Sequence, residues 1–119
     1  MNYGEAVHSR IVNAKFRGEL ANESARCEAV NPVCGDLVRI SIEVHDKKII
    51  AVRWKAEGCP PTLAAADIVS EWADGMTIHE AQALAIEVIL DKLPGLPATS
   101  RHAVEVALEA LRGALQAVV

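Results

Sequence analysis

A chain of 119 residues, 51% of them apolar and 24% charged, can bury a real core and is too apolar to stay disordered. Its net charge of -4, with scattered basic residues and Lys47-Lys48 as the only adjacent pair, weighs against a nucleic-acid partner. No apolar run approaches the roughly 20 residues of a spanning helix, and MNYGEAVHSRIV lacks the basic start and apolar stretch of a secretory signal. The expected setting is the cytoplasm, with no membrane partner, and the expected organisation is one domain over residues 1–119.

In chain order, Val7, Ile11 and Val12 suit one face of a short helix from about Tyr3 to Phe16, with Gly18 ending it. From Glu19 to Val33 the pattern is poor, and strand and loop are both open. Val38, Ile40, Ile42 and Val44 then alternate with polar residues, the period of a half-buried strand. After the polar break Asp46-Lys47-Lys48, Ile50, Val52, Trp54 and Ala56 fall on one side of a second strand, and Ile49, Ala51, Arg53 and Lys55 on the other. Two such runs across a short link read as an antiparallel hairpin.

Past Gly58-Cys59, Pro60 and Pro61 suit a first helical turn, where a missing N–H costs nothing. Leu63, Ala66, Ile68, Val69 and Trp72 form the apolar face of that helix, and Asp74-Gly75 closes it. Thr77 and Glu80 have the spacing of a capping box, opening a helix that carries Ala83, Ile86, Val88 and Leu90. Pro94 to Pro97 is a loop. Ser100 is a helix cap, and Val104, Leu108, Leu111 and Leu115 line the last helix. Strands and helices are segregated along the chain, so the class is α+β: a small antiparallel sheet packed against helices.

The hairpin has a chemical consequence. Cys34-Gly35-Asp36 precedes its first strand and Gly58-Cys59 follows its second, so Cys34, Asp36 and Cys59 share one end of the sheet. Two thiolates and a carboxylate there suit zinc or an iron–sulfur centre. Cys59 also stands at the mouth of a helix, where the dipole favours negative charge. His102 holds the same place in the last helix, where imidazolium is disfavoured and the ring stays available as a ligand. Taken singly, each cysteine is as readily a small buried hydrophobe; the shared rim shifts the balance. Cys27 has no readable surroundings. Three thiols cannot all pair, and in a reducing compartment disulfides are not expected. His8 and His79 read as helix-surface residues and His45 as a strand end.

Asn31-Pro32-Val33-Cys34-Gly35-Asp36, a hairpin, Gly58-Cys59 and an Ala-rich helix together resemble the iron–sulfur cluster assembly scaffold family of IscU, SufU and the NifU N-terminal domain. The likeness spans nearly the whole chain: Asn13 and Gly18 fall in register early, then Glu71, Trp72, Gly75, Glu80 and Ala81, then Leu96-Pro97 followed by His102. The resemblance implies a scaffold or carrier rather than a catalyst. Its ligand set would be Cys34, Asp36, Cys59 and His102, holding an Fe–S cluster such as a 2Fe–2S centre, or zinc. It also implies a cysteine desulfurase as partner and recipient Fe–S apoproteins. Four departures stand out. Cys59-Pro60-Pro61-Thr62 replaces the small residues common after the second cysteine, which stiffens that loop. Asn13-Ala14-Lys15-Phe16 replaces the usual Asn-Pro-Arg-Asn. Ala103 follows His102 where the family has its third cysteine, which excludes sulfur transfer at that position. Leu96-Pro97-Ala98-Thr99-Ser100 differs from the Leu-Pro-Pro-Val-Lys offered to a dedicated chaperone, which argues against that partner. Cys27 is a candidate substitute thiolate. The alternatives are a SufU-like sulfurtransferase using Cys34 or Cys59, and a relict fold serving as an interaction module.

Overall fold

The computed structural model describes residues 4–31, 35–94 and 100–119. Its elements run α1 (Glu5–Val12), β1 (Ala25–Asn31), β2 (Asp36–His45), β3 (Lys48–Glu57), α2 (Pro60–Ala73), α3 (Ile78–Gln82), α4 (Ile86–Leu90) and α5 (Arg101–Gln116). The α+β arrangement expected from the sequence is present. The sheet has the order β1-β2-β3 with both pairings antiparallel. The ambiguous stretch before Val33 supplies the edge strand β1, with Ala25 opposite Ile42 and Asn31 opposite Asp36.

The hairpin turns on Asp46 and Lys47, whose φ values of 51° and 64° place both in the left-handed region of a two-residue turn. The inward set on β2 is the expected one: Val38, Ile40 and Ile42 have no exposed surface. On β3 the expected alternation fails at Ile49 and Ile50. Glu43 faces Ala51 and Val44 faces Ile49, so Ile50 is the extra residue of a bulge. Parity therefore reverses there: Ile49 is fully buried and Ile50 is 50% exposed. Neighbouring chain explains the need. Ile49 donates to the Met76 carbonyl and accepts from the Gly75 N–H, at 2.8 and 3.0 Å, which ties the exit of α2 to the base of the hairpin.

Helix α1 stops at Val12, short of the expected Phe16, and Gly18 is not its terminus. The following residues instead lie beside β3. Trp54 donates its backbone N–H to the Phe16 carbonyl at 2.9 Å, and Gly18 donates to the Trp54 carbonyl at 2.9 Å. That pairing, and a hydrogen bond from the Phe16 amide to the buried Asp67 carboxylate at 3.0 Å, outcompete another helical turn.

One face of the sheet carries the helices. α5 packs on β1 and β2, α2 packs on β3 and against α5, and α1 rests on α2. Sandwiched this way, α2 is buried beyond its apolar stripe: Ala64, Ala65, Ala66, Asp67, Ile68, Val69 and Ser70 are all fully enclosed, while Leu63 and Trp72 are half-buried. The capping box forms as expected, with the Glu80 amide donating to Thr77 Oγ1 and the Thr77 amide to Glu80 Oε1. The helix it opens is shorter than the apolar pattern suggests. It ends at Gln82, and α4 starts afresh at Ile86. The break lets both Leu84 and Ile89 reach the interior, and Arg112 of α5 donates to the freed Leu84 carbonyl at 3.0 Å. Ser100 occupies the cap position of α5 but makes no side-chain capping bond.

Candidate metal and cluster site

The last rung of the β2–β3 ladder is Leu37 opposite Glu57, so Asp36 and the Gly58-Cys59 step emerge side by side at the rim. Asp36 is 5% exposed. Its Oδ1 accepts the Cys59 backbone N–H at 3.3 Å, and its Oδ2 lies 4.0 Å from Cys59 Sγ. Gly58 is needed for this approach. A Cβ built there would come within 2.9 Å of Asp36 Cγ and closer still to Oδ1, so any side chain would push the carboxylate away.

Cys59 is the N-cap of α2, with extended φ and ψ of -72° and 162°, and Pro60 and Pro61 supply the first turn. Its carbonyl accepts from the Thr62 and Leu63 amides at 3.0 and 3.3 Å. The Thr62 hydroxyl sits 3.3 Å from Cys59 Sγ. The half-buried sulfur is thus held between a carboxylate and a hydroxyl, at the positive end of the α2 dipole.

The donor chemistry fits a soft or borderline metal. An ion bound about 2.3 Å from sulfur and about 2.1 Å from oxygen in tetrahedral geometry separates the two donors by about 3.6 Å. The Cys59–Asp36 gap of 4.0 Å is close to that value. Among the described residues, no three His, Cys, Asp or Glu side chains gather into a metal-binding group, so Asp36 and Cys59 stand as a pair.

The other sequence candidates fall as follows. Cys34 lies outside the described residues; its neighbour Gly35 has a φ of 75° and donates to the Asn31 carbonyl at 2.7 Å. His102 is on the first turn of α5, its side chain 64% exposed and its Nδ1 3.3 Å from Glu105 Oε2. Ala103 is buried, 3% exposed. Cys27 is no substitute thiolate. It sits mid-strand opposite Ile40, four residues back from Asn31, and its side chain packs on Gly113 of α5, where even an added Cβ would meet Cys27 Cβ at 3.0 Å.

Two polar residues escaped the sequence reading. Thr62 gave one signal, its three-residue spacing from Cys59, the separation that lets an N-cap side chain meet the third helical residue. Asp67 gave none, since a single carboxylate on an apolar helix looks like a surface residue.

Comparison with known proteins bears on the family and the fold. The NifU-like N terminal domain model matches residues 2–118. The iron–sulfur cluster assembly scaffold protein IscU 1 of Archaeoglobus fulgidus is 32% identical over 113 residues, covering 95% of this chain and 74% of that protein. The scaffold protein IscU of Escherichia coli K12 is 33% identical over 119 residues, covering 97% and 92%. Among solved structures, a nitrogen-fixing NifU-like N-terminal domain from Brucella abortus superposes with a TM-score of 0.81 at 14% identity, covering 98% of this chain and 93% of that one. A SUF-system protein from Fervidobacterium islandicum AW-1 gives a TM-score of 0.81 at 22% identity, covering 95% and 96%, and shares the fold. The chain belongs to the NifU-like N-terminal domain family, the group of the IscU-type iron–sulfur cluster assembly scaffold proteins.

Proposed function

We propose that this protein is a scaffold that holds iron or a nascent iron–sulfur cluster as cargo at the hairpin rim, through Cys34, Asp36, Cys59 and His102, and then gives it up. The observation that supports this most is the convergence of Asp36 and Cys59 from opposite strands, at a glycine where any added side chain would displace the carboxylate. Sulfur ligation suits iron, a 2Fe–2S centre or zinc, and a carboxylate as fellow ligand leaves the set more labile than four thiolates would. With alanine at position 103, the cargo rests on fewer thiolates than the family pattern provides. Cys27 and Cys59 are free thiols, which suits a reducing compartment such as the cytoplasm. A cysteine desulfurase is the sulfur source and recipient Fe–S apoproteins are the destination in this reading.

The test is elemental analysis and a visible spectrum of protein purified without oxygen or chelator. Near-stoichiometric iron or zinc, lost in Cys59→Ala and in Asp36→Ala, is expected, and sulfide-dependent colour would mark a cluster. Colourless, metal-free protein that also fails anaerobic reconstitution would overturn the reading. If such protein still accelerated a desulfurase, and Cys59→Ala abolished the effect, sulfur transfer would take its place.

A further inference from the structure

Thr62 has no exposed surface. A buried hydroxyl needs a partner, and one inside a helix usually donates to the carbonyl four residues back. Ser70 of the same helix does so, reaching the Ala66 carbonyl at 2.8 Å. Thr62 does not: its hydroxyl meets Cys59 Sγ at 3.3 Å. Between them, Pro60 and Pro61 have fixed φ and no N–H to offer. The Thr62 amide closes the turn on the Cys59 carbonyl at 3.0 Å. Cys59 to Thr62 is therefore a stiff clip with a sulfur at one end and a hydroxyl at the other. Asp36 holds the opposite side through the Cys59 N–H.

In the free thiol either atom can donate. A sulfur that carries a metal has lost its proton and only accepts, so the hydroxyl must then donate to it. We propose that Thr62 is a positioning residue for Cys59, its hydroxyl donating to Sγ when that sulfur is a metal or cluster ligand. This fixes the direction from which the sulfur meets its cargo, and it draws electron density from the sulfur. The proposal rests on the scaffold reading above and adds a residue to it. Outer-shell hydrogen bonds of this kind typically carry about 10- to 100-fold in metal affinity.

The probe is Co2+, added anaerobically to the whole chain as wild type, Thr62→Val, Thr62→Ser and Thr62→Ala. Valine keeps the volume and removes the hydroxyl. Its affinity is expected to fall by about tenfold or more, with the sulfur-to-cobalt charge-transfer band moved to lower energy. Serine restores both, and alanine moves the band the same way as valine. Should valine unfold the protein, the serine and alanine spectra carry the decision. A band unchanged in a folded hydroxyl-free variant, with wild-type affinity, would overturn the role of Thr62 and leave the scaffold reading intact. Wild-type protein that binds no Co2+, like Cys59→Ala, would overturn both.

Discussion

Two buried carboxylates flank α2, Asp36 at its entrance and Asp67 at its middle, and they are satisfied very differently. Asp67 has no exposed surface and is fully engaged. Its Oδ1 accepts the Trp54 indole N–H at 2.9 Å and the Phe16 amide at 3.0 Å, and its Oδ2 faces Arg10 at 3.3 Å. Burial works against the Arg10 charge, but Glu71 and Asp67 outweigh it and hold the guanidinium above its ordinary value. Asp36 is nearly as buried, yet among the described residues its side chain meets one backbone N–H, at 3.3 Å, and a sulfur 4.0 Å away. A carboxylate surrounded by donors locks elements together. One left short of donors beside a thiol is equipped to bind something else.

The largest effect expected from this contrast is on stability. Asp67→Ala leaves a buried indole N–H, an amide and part of the Arg10 charge without their acceptor, and should cost about 3–5 kcal/mol. Asp36→Ala should cost about 1–2 kcal/mol, the loss of one long hydrogen bond, while removing metal uptake. Urea melts of the two variants check the ordering. Equal destabilisation would dissolve the distinction between a structural and a ligand carboxylate.

Gly58→Ala sharpens it from the other side. The added methyl meets Asp36, so overpacking of about 1–3 kcal/mol is expected together with weaker metal binding. Repulsion of the carboxylate should show in the metal affinity before it shows in the melt, and the reverse order would count against the rim as a binding site.

Smaller changes separate the cysteines. Cys27→Ala should trim packing between β1 and α5 and leave metal content unchanged, read by elemental analysis; loss of metal would place Cys27 in the site after all. Ala103→Cys adds a thiol beside His102 and should tighten metal or cluster binding in a competition assay. No gain there would mean that the start of α5 does not serve the rim.

The smallest effect lies far from the site, at the capping box. The Thr77 backbone N–H holds the Glu80 carboxyl below its usual value of 4.5. A carboxyl lowered on folding adds stability above its unfolded pKa and loses it as pH falls through the folded value. Acidification below about pH 4.5 should therefore begin to loosen the start of α3. An NMR titration of the Glu80 carboxyl giving an ordinary value would mean that the box is open in solution.

Much of this was legible in residue order because it depends on local rules. Alternation at Val38, Ile40 and Ile42 sets the β2 face, and a two-residue link then forces Asp36 and Cys59 to one end. The capping box likewise needs only Thr77 and Glu80. What local rules missed was decided by distant partners. Ile49 and Ile50 exchange sides because the chain at Gly75 and Met76 uses the Ile49 backbone. Phe16 leaves the helical path because Trp54 and Asp67 offer better hydrogen bonds than another turn.

The sequence by itself therefore determined the fold class, the hairpin and the rim where a thiol meets a carboxylate, since periodicity and turn length are properties of neighbouring residues. Only the tertiary structure decided that Cys27 is packing, that Asp67 is a hub and that Thr62 touches the sulfur. Each of those depends on which groups remain unsatisfied once strands and helices have closed on one another, and hydrogen-bond satisfaction in a core is a property of the whole fold.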